Sequence, residues 1–237
     1  MKSELVASYK KRLTVFFRDT KIYLHSKEFG SSQSVIYLSV PFMVLENWRE
    51  EGHLDDIPLL GEAVNNLTFA TAAFIFGWKK SCCLHLRVTL ESIFSGIAIL
   101  NNRKAHIKFS RTGEIPYRRF SSILKDYSTH SKETQKICSA FPLLTEVSDL
   151  YAELSKWSHT LGASFVSDLS TLGFYKNDPT SIGQIKGYYK RICKYSVIAY
   201  LSIKPNILHD ISAANQRLLF QPLTIIERGT IRNIIGR

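Results

Sequence analysis

The sequence predicts an all-α fold, and three observations carry that prediction. Strand signals are sparse, with no Asn-Gly or Asp-Gly turn between alternating apolar runs. Helical periodicity recurs along the chain, and clusters of Gly, Pro, Ser and Asp divide it into segments of helix length. With 237 residues, 45% hydrophobic and 12% aromatic, the chain can bury a proper core and lacks the composition of a disordered one. The expected architecture is a helical bundle carrying extra helices at both ends. Residues 1–57 form an N-terminal helical extension, 58–165 the core bundle, and 166–237 the C-terminal helices with a basic, apolar tail, all in one compact domain.

Residues 4–28 are the first candidate helix, with Leu5, Leu13, Phe16, Phe17 and Leu24 along one side and Lys10, Lys11, Arg12 and Arg18 elsewhere. "GSSQS" at 30–34 ends it, and a shorter helix covers 34–50. The acidic linker "EEGHLDDIP" supplies Asp55 or Asp56 as a cap, with Pro58 near a first turn. Residues 58–78 and 80–101 read as paired core helices, jointed around Gly77–Lys80. The apolar run "LTFATAAFIFGW" (67–78) is too short to span a bilayer and is followed by Lys79 and Lys80. Residues 101–119 are polar, basic and punctuated by Gly113 and Pro116, which predicts a loop. Short helices are expected at 117–127 and 131–139, and a stronger one at 143–161. Asp178-Pro179 marks a break, with helices at 181–202 and 206–220 beyond it. The tail "IIERGTIRNIIGR" reads as a strand or helix that docks on a partner.

Lys and Arg outnumber Asp and Glu by 31 to 20, a formal charge of +11 and a pI near 9.5. That excess favours polyanionic partners: RNA, DNA, an acidic protein or an anionic membrane surface. Cys82, Cys83, Cys138 and Cys193 form no C-x-x-C pair, which predicts reduced thiols in a cytoplasmic protein rather than a zinc knuckle or a disulfide framework. "MKSELVASYKKRL" has no apolar signal region. His53 sits among Glu50, Glu51, Asp55 and Asp56 without ligand periodicity. There is no Gly-rich phosphate loop, G-x-S-x-G or H-E-x-x-H, so neither metal nor cofactor is expected.

Cations cluster twice. Arg103, Lys104, Lys108, Arg111, Arg118 and Arg119 are interleaved with Phe109, Tyr117 and Phe120, opposed only by Glu114. Cations bind a phosphate backbone, and aromatic rings can stack on unpaired bases. Lys186, Lys190 and Lys194 line one side of the 181–202 helix beside Arg191, a second row able to track phosphates or simply to meet water.

Two helices hold candidate chemistry. In "CCLHLRVTLESIFSGIAIL", Arg87 and Glu91 lie one turn apart in a stripe with Cys83, Leu84, Phe94 and Ala98. Charges in so apolar a helix need partners. They suit either an ion pair that holds the bundle's register or a guanidinium clamp on phosphate oriented by Glu91. In "LYAELSKWSHT", Leu150, Leu154, Trp157 and Leu161 make the core face, while Tyr151, Ser155 and His159 follow at i, i+4 and i+8 on another. That row suits a cleft or a symmetric dimer seam, where a neutral imidazole can exchange protons near pH 7. It also suits a surface histidine.

The two stretches together resemble HEPN-type helical domains, in which one helix carries R-x-x-x-E and a later one Y-x-x-L-S-x-x-x-H. The likeness spans about residues 58–165. It implies an RNA-directed effector of a bacterial antiphage, toxin or stress system, dimeric or part of a larger complex. It further implies a metal-independent endoribonuclease with His159 as general acid/base and Arg87 steadying the phosphorane charge, with Glu91, Tyr151 and Ser155 beside them. The usual R-x4–6-H is absent before His159, so Arg87 supplies the cation from another helix. The alternative is a non-catalytic subunit binding RNA or protein.

Overall fold

The computed structural model describes residues 58–75, 78–159 and 179–235, together with Thr14, Arg18, Lys21, His25, Leu38, Pro41 and Val44. The candidate helices at 4–28 and 34–50 and the acidic linker at 50–57 otherwise lie outside the described residues. Ten helices and no strand occur among the described residues, which bears out the all-α prediction.

The first two helices, α1 (Leu60–Ile75) and α2 (Lys79–Asn101), pack as an antiparallel hairpin. Leu60, Ala63, Leu67, Ala70, Ala73 and Phe74 form the buried stripe of α1, at the three-and-four spacing of one helix face. Three contacts set the register: Thr89 Oγ1 donates to the Ala63 carbonyl (3.4 Å), His85 Nδ1 pairs with Asn66 Oδ1 (2.9 Å), and the His85 ring lies 5.5 Å from that of Phe69.

Next come α3 (Arg103–Thr112), α4 (Phe120–Ser128), α5 (Lys132–Ala140) and α6 (Leu143–His159). After these lie α7 (Pro179–Ile203), the short α8 (Ile207–Asp210), α9 (Ala213–Leu219) and α10 (Ile225–Ile234). The expected helix at 206–220 is thus two pieces, parted where Ser212 caps α9 by accepting from Asn215 N–H.

The centre of the bundle is α2, which packs against α1, α3, α4, α6 and α7. Thirteen of its 23 residues are buried, including everything from Ser92 to Ile99. By length and composition it alone among the described helices could cross a membrane, yet 67% of that window is buried inside the molecule, as in a core helix.

Two sequence expectations change. The stretch at 101–119 is no simple loop, because its first half is α3. Asn102 Oδ1 accepts from the N–H groups of Lys104 and Ala105, and Gly113, at φ 68°, closes the other end. Arg and Lys are good helix formers, so a basic composition does not oppose the helix. The tail, read as a strand or helix, is a helix, α10, and it packs on α5 of its own chain while Ile225 and Ile226 at its start stay exposed. Ile231 is fully buried, Lys194 of α7 holds Glu227 at 2.6 Å, and Arg232 lies over the Phe220 ring at 5.2 Å.

Candidate functional site

The two motif stretches meet along the antiparallel contact of α2 with α6. At one level the Lys79 ammonium lies 4.2 Å from the centroid of the Trp157 ring. At the next, Arg87 Nη2 donates to the Tyr151 hydroxyl at 2.7 Å, and its guanidinium carbon lies 4.9 Å from the Tyr151 ring centroid. Both residues are half-buried. The guanidinium therefore combines a charge-assisted hydrogen bond with a cation–π contact to one side chain.

Tyr151 is itself fixed from the other side. Phe120, the first residue of α4, stacks on its ring at 4.0 Å and 9°. Phe94 meets Phe120 and Tyr127 edge-on, at 6.4 Å and 5.1 Å. The Ser155 hydroxyl donates back to the Tyr151 main-chain carbonyl at 2.7 Å, one turn along α6. Among the described residues no ion pair joins Arg87 to Glu91, half-exposed on α2, and the described hydrogen bond of the arginine reaches across to α6. His159 is the last residue of α6, and its side chain lies outside the described residues. Eight residues separate it from Tyr151, about 12 Å of rise along the axis.

The basic segment builds a second surface. On α3 the inner side holds Ala105, buried, and Phe109, half-buried, while Arg103, Lys104, Lys108 and Arg111 are exposed around Ile107. At about 100° per residue these four cations fall within an arc of about 140° and span about 12 Å of axis. Arg118 and Arg119 are exposed in the segment leading into α4. Among the described residues none of the six enters an ion pair. Because Arg119 immediately precedes Phe120, this surface abuts the ring that holds Tyr151.

The lysine row on α7 is not uniform. Lys190 is exposed, Lys186 is half-exposed, and Lys194 is turned to Glu227 with its side chain 23% exposed. Desolvation tends to raise the Glu227 carboxyl, but the Lys194 ammonium and the Thr224 donors outweigh it and hold the group below its usual value of 4.5. Arg191 forks onto both carboxylate oxygens of Glu153, tying α7 to α6 at 2.9 and 3.1 Å.

Burial opposes thiolate formation at all four cysteines. All four cysteines are free, and burial pushes Cys83 up to about 12 and Cys138 to about 11, so both are protonated at neutral pH. No metal-ligating cluster occurs among the described residues, and His53 lies outside them.

The sequence marks Tyr117 and Phe120 as rings for base stacking, but Phe120 is buried against Tyr151 and the Tyr117 hydroxyl donates to Asp126; Asn102 and Asp126, which anchor the basic segment, were missed. A cap-type residue directly before "RKA", with a glycine eleven positions on, was the signal for α3. No family model matches the chain, and no curated protein or solved structure matches it either.

Proposed function

We propose that this chain is an RNA-directed helical effector of the HEPN type, gripping a phosphate backbone with the outer face of α3 and with Arg118 and Arg119. The observation that carries this reading is the set of six exposed cations between 103 and 119, none in an ion pair among the described residues, four on the outer face of α3 and two in the segment before α4. Unpaired arginine and lysine on a fixed surface release counterions from a polyanion without first breaking bonds of their own. The formal charge of +11 supports long-range attraction of such a partner.

Anisotropy with an unstructured single-stranded RNA tests it. Affinity should fall steeply with salt, with a log–log slope of about −3 to −4 for four to six neutralised phosphates. Combined Lys104→Glu, Lys108→Glu and Arg111→Glu should weaken binding by at least about tenfold and flatten that slope. Unchanged affinity in this variant rejects the assignment of the surface.

The Arg87–Tyr151 contact favours a second reading, in which the bound strand is cut without metal. Arg87 steadies charge at the scissile phosphate, and His159 takes the proton of the attacking 2′-hydroxyl and returns it to the departing 5′-oxygen, leaving a 2′,3′-cyclic phosphate, with Tyr151 and Ser155 lining the seam and Glu91 one turn away. RNA incubated with the chain in EDTA should be cleaved, and cleavage should be lost in His159→Ala and in Arg87→Ala. Equal cutting by all three proteins removes both residues from the mechanism. Binding without cutting leaves the chain as an RNA-binding module.

A further inference from the structure

One carboxylate oxygen holds both ends of the basic segment. Asp126, at the end of the second turn of α4, is half-buried. Its Oδ2 accepts from Asn102 Nδ2 at 3.0 Å and from the Tyr117 hydroxyl at 2.8 Å. Asn102 directly precedes α3, and Tyr117 directly precedes Arg118 and Arg119. Every cation of the segment lies between these two anchors or immediately after the second.

The anchoring extends through Asn102 into the helix. The other end of its amide, Oδ1, accepts from the N–H groups of Lys104 and Ala105, each at 3.1 Å. Asp126 thus orients the amide that starts α3. Asn101 donates to the Asp126 main-chain carbonyl and to Thr129 Oγ1, and the Tyr117 hydroxyl also lies 3.1 Å from the Ala98 carbonyl of α2. Because Asn102 fills the α3 N-terminus itself, phosphate has to be met by side chains on the outer face rather than by free backbone N–H groups.

We propose that Asp126 is a positioning residue for RNA binding: a buckle that fixes α3 and the Arg118–Arg119 pair relative to one another, so that six cations meet the phosphate backbone as a preformed row. This rests on the RNA-binding reading above. Its physical content is preorganisation, since cations on a segment already ordered lose less freedom on binding. The proposal also has a sign that simple electrostatics does not share. Removing Asp126 makes the chain more positive, which by charge alone strengthens binding to a polyanion. Loss of the buckle weakens it.

The experiment uses the full chain, a fluorescent unstructured RNA 20-mer at fixed salt, and hydrogen exchange of the amides in 103–112. Asp126→Ala should bind about three- to tenfold more weakly despite its added positive charge, with faster exchange across α3. Tyr117→Phe removes only a hydroxyl and changes no charge at neutral pH. It should weaken binding about two- to threefold, and it decides the matter if Asp126→Ala does not fold. Asn102→Asp keeps a capping acceptor but faces Asp126 with a second carboxylate, and it should resemble Asp126→Ala. Equal or tighter RNA binding by a folded Asp126→Ala, or exchange in α3 at the parent rate, overturns the buckle while leaving the RNA reading in place. A parent chain that binds RNA without salt dependence, or not at all, overturns both.

Discussion

Arg87 illustrates how a single contact redirects a residue's role. On α2 alone its natural partner is Glu91, one turn on, yet its described hydrogen bond runs to Tyr151 on α6. An arginine that only stabilised its own helix would need no ring stacked behind its partner. Phe120 supplies that ring, packing on Tyr151 at 4.0 Å with 8% of its own surface exposed. Phe120→Ala should cost about 3–5 kcal/mol of stability, measured by denaturant unfolding, because it empties a site between Tyr151 and Phe94. A loss under about 1 kcal/mol would mean that the ring is not packed as described. Arg87 was legible in the sequence as a charge on a largely apolar helix, and Tyr151 as the first residue of the Tyr151, Ser155, His159 row. Their contact and the Phe120 stack were not, because the partners lie 64 and 31 positions apart in the chain and no local pattern encodes such a meeting.

At the level of elements, α3 and α10 carry the lessons. Charge and the Gly113 and Pro116 breaks outweighed the end signals in reading 101–119 as a loop, although Asn102 and Gly113 mark the ends of α3. End signals act through specific backbone groups, whereas charge density says only that a segment is wet. α10 opens with a capping box in which the Thr224 hydroxyl and the Glu227 carboxylate satisfy each other's backbone N–H. Glu227 also accepts the Lys194 ion pair, so one carboxylate both starts α10 and ties it to α7. Its folded pKa is depressed below 4.5. Its contribution is therefore fully present above the unfolded value and is lost as pH falls through the folded one. Amide protection in α10 should drop as the medium is acidified below pH about 4.5, and Lys194→Met should weaken that dependence. A variant whose protection falls along the same pH curve as the parent's would show that another group is responsible.

Across the whole molecule, the central placement of α2 links the basic surface to the α6 seam. The same helix packs against α1, α3, α4, α6 and α7, so it supports the basic surface through α3 and carries Arg87 to the α6 seam. Ile93, fully buried near its middle, belongs to the continuous hydrophobic core. Ile93→Ala should lower global stability by about 2–5 kcal/mol, shifting the unfolding curves from tryptophan fluorescence and helicity together. Separate shifts of the two probes would mean that the helices around α2 unfold independently.

The sequence by itself determined the helical class, the buried character of α2, the core face of α6 and the excess of positive charge. Each of these is a property of periodicity or composition, which neighbouring residues encode together. Only the tertiary structure decided that Arg87 meets Tyr151, that Lys194 is taken by Glu227, and that Asp126 joins Asn102 to Tyr117. Those pairings depend on how separate helices pack in three dimensions, where a hydrogen bond requires two groups within about 3 Å whatever their distance along the chain.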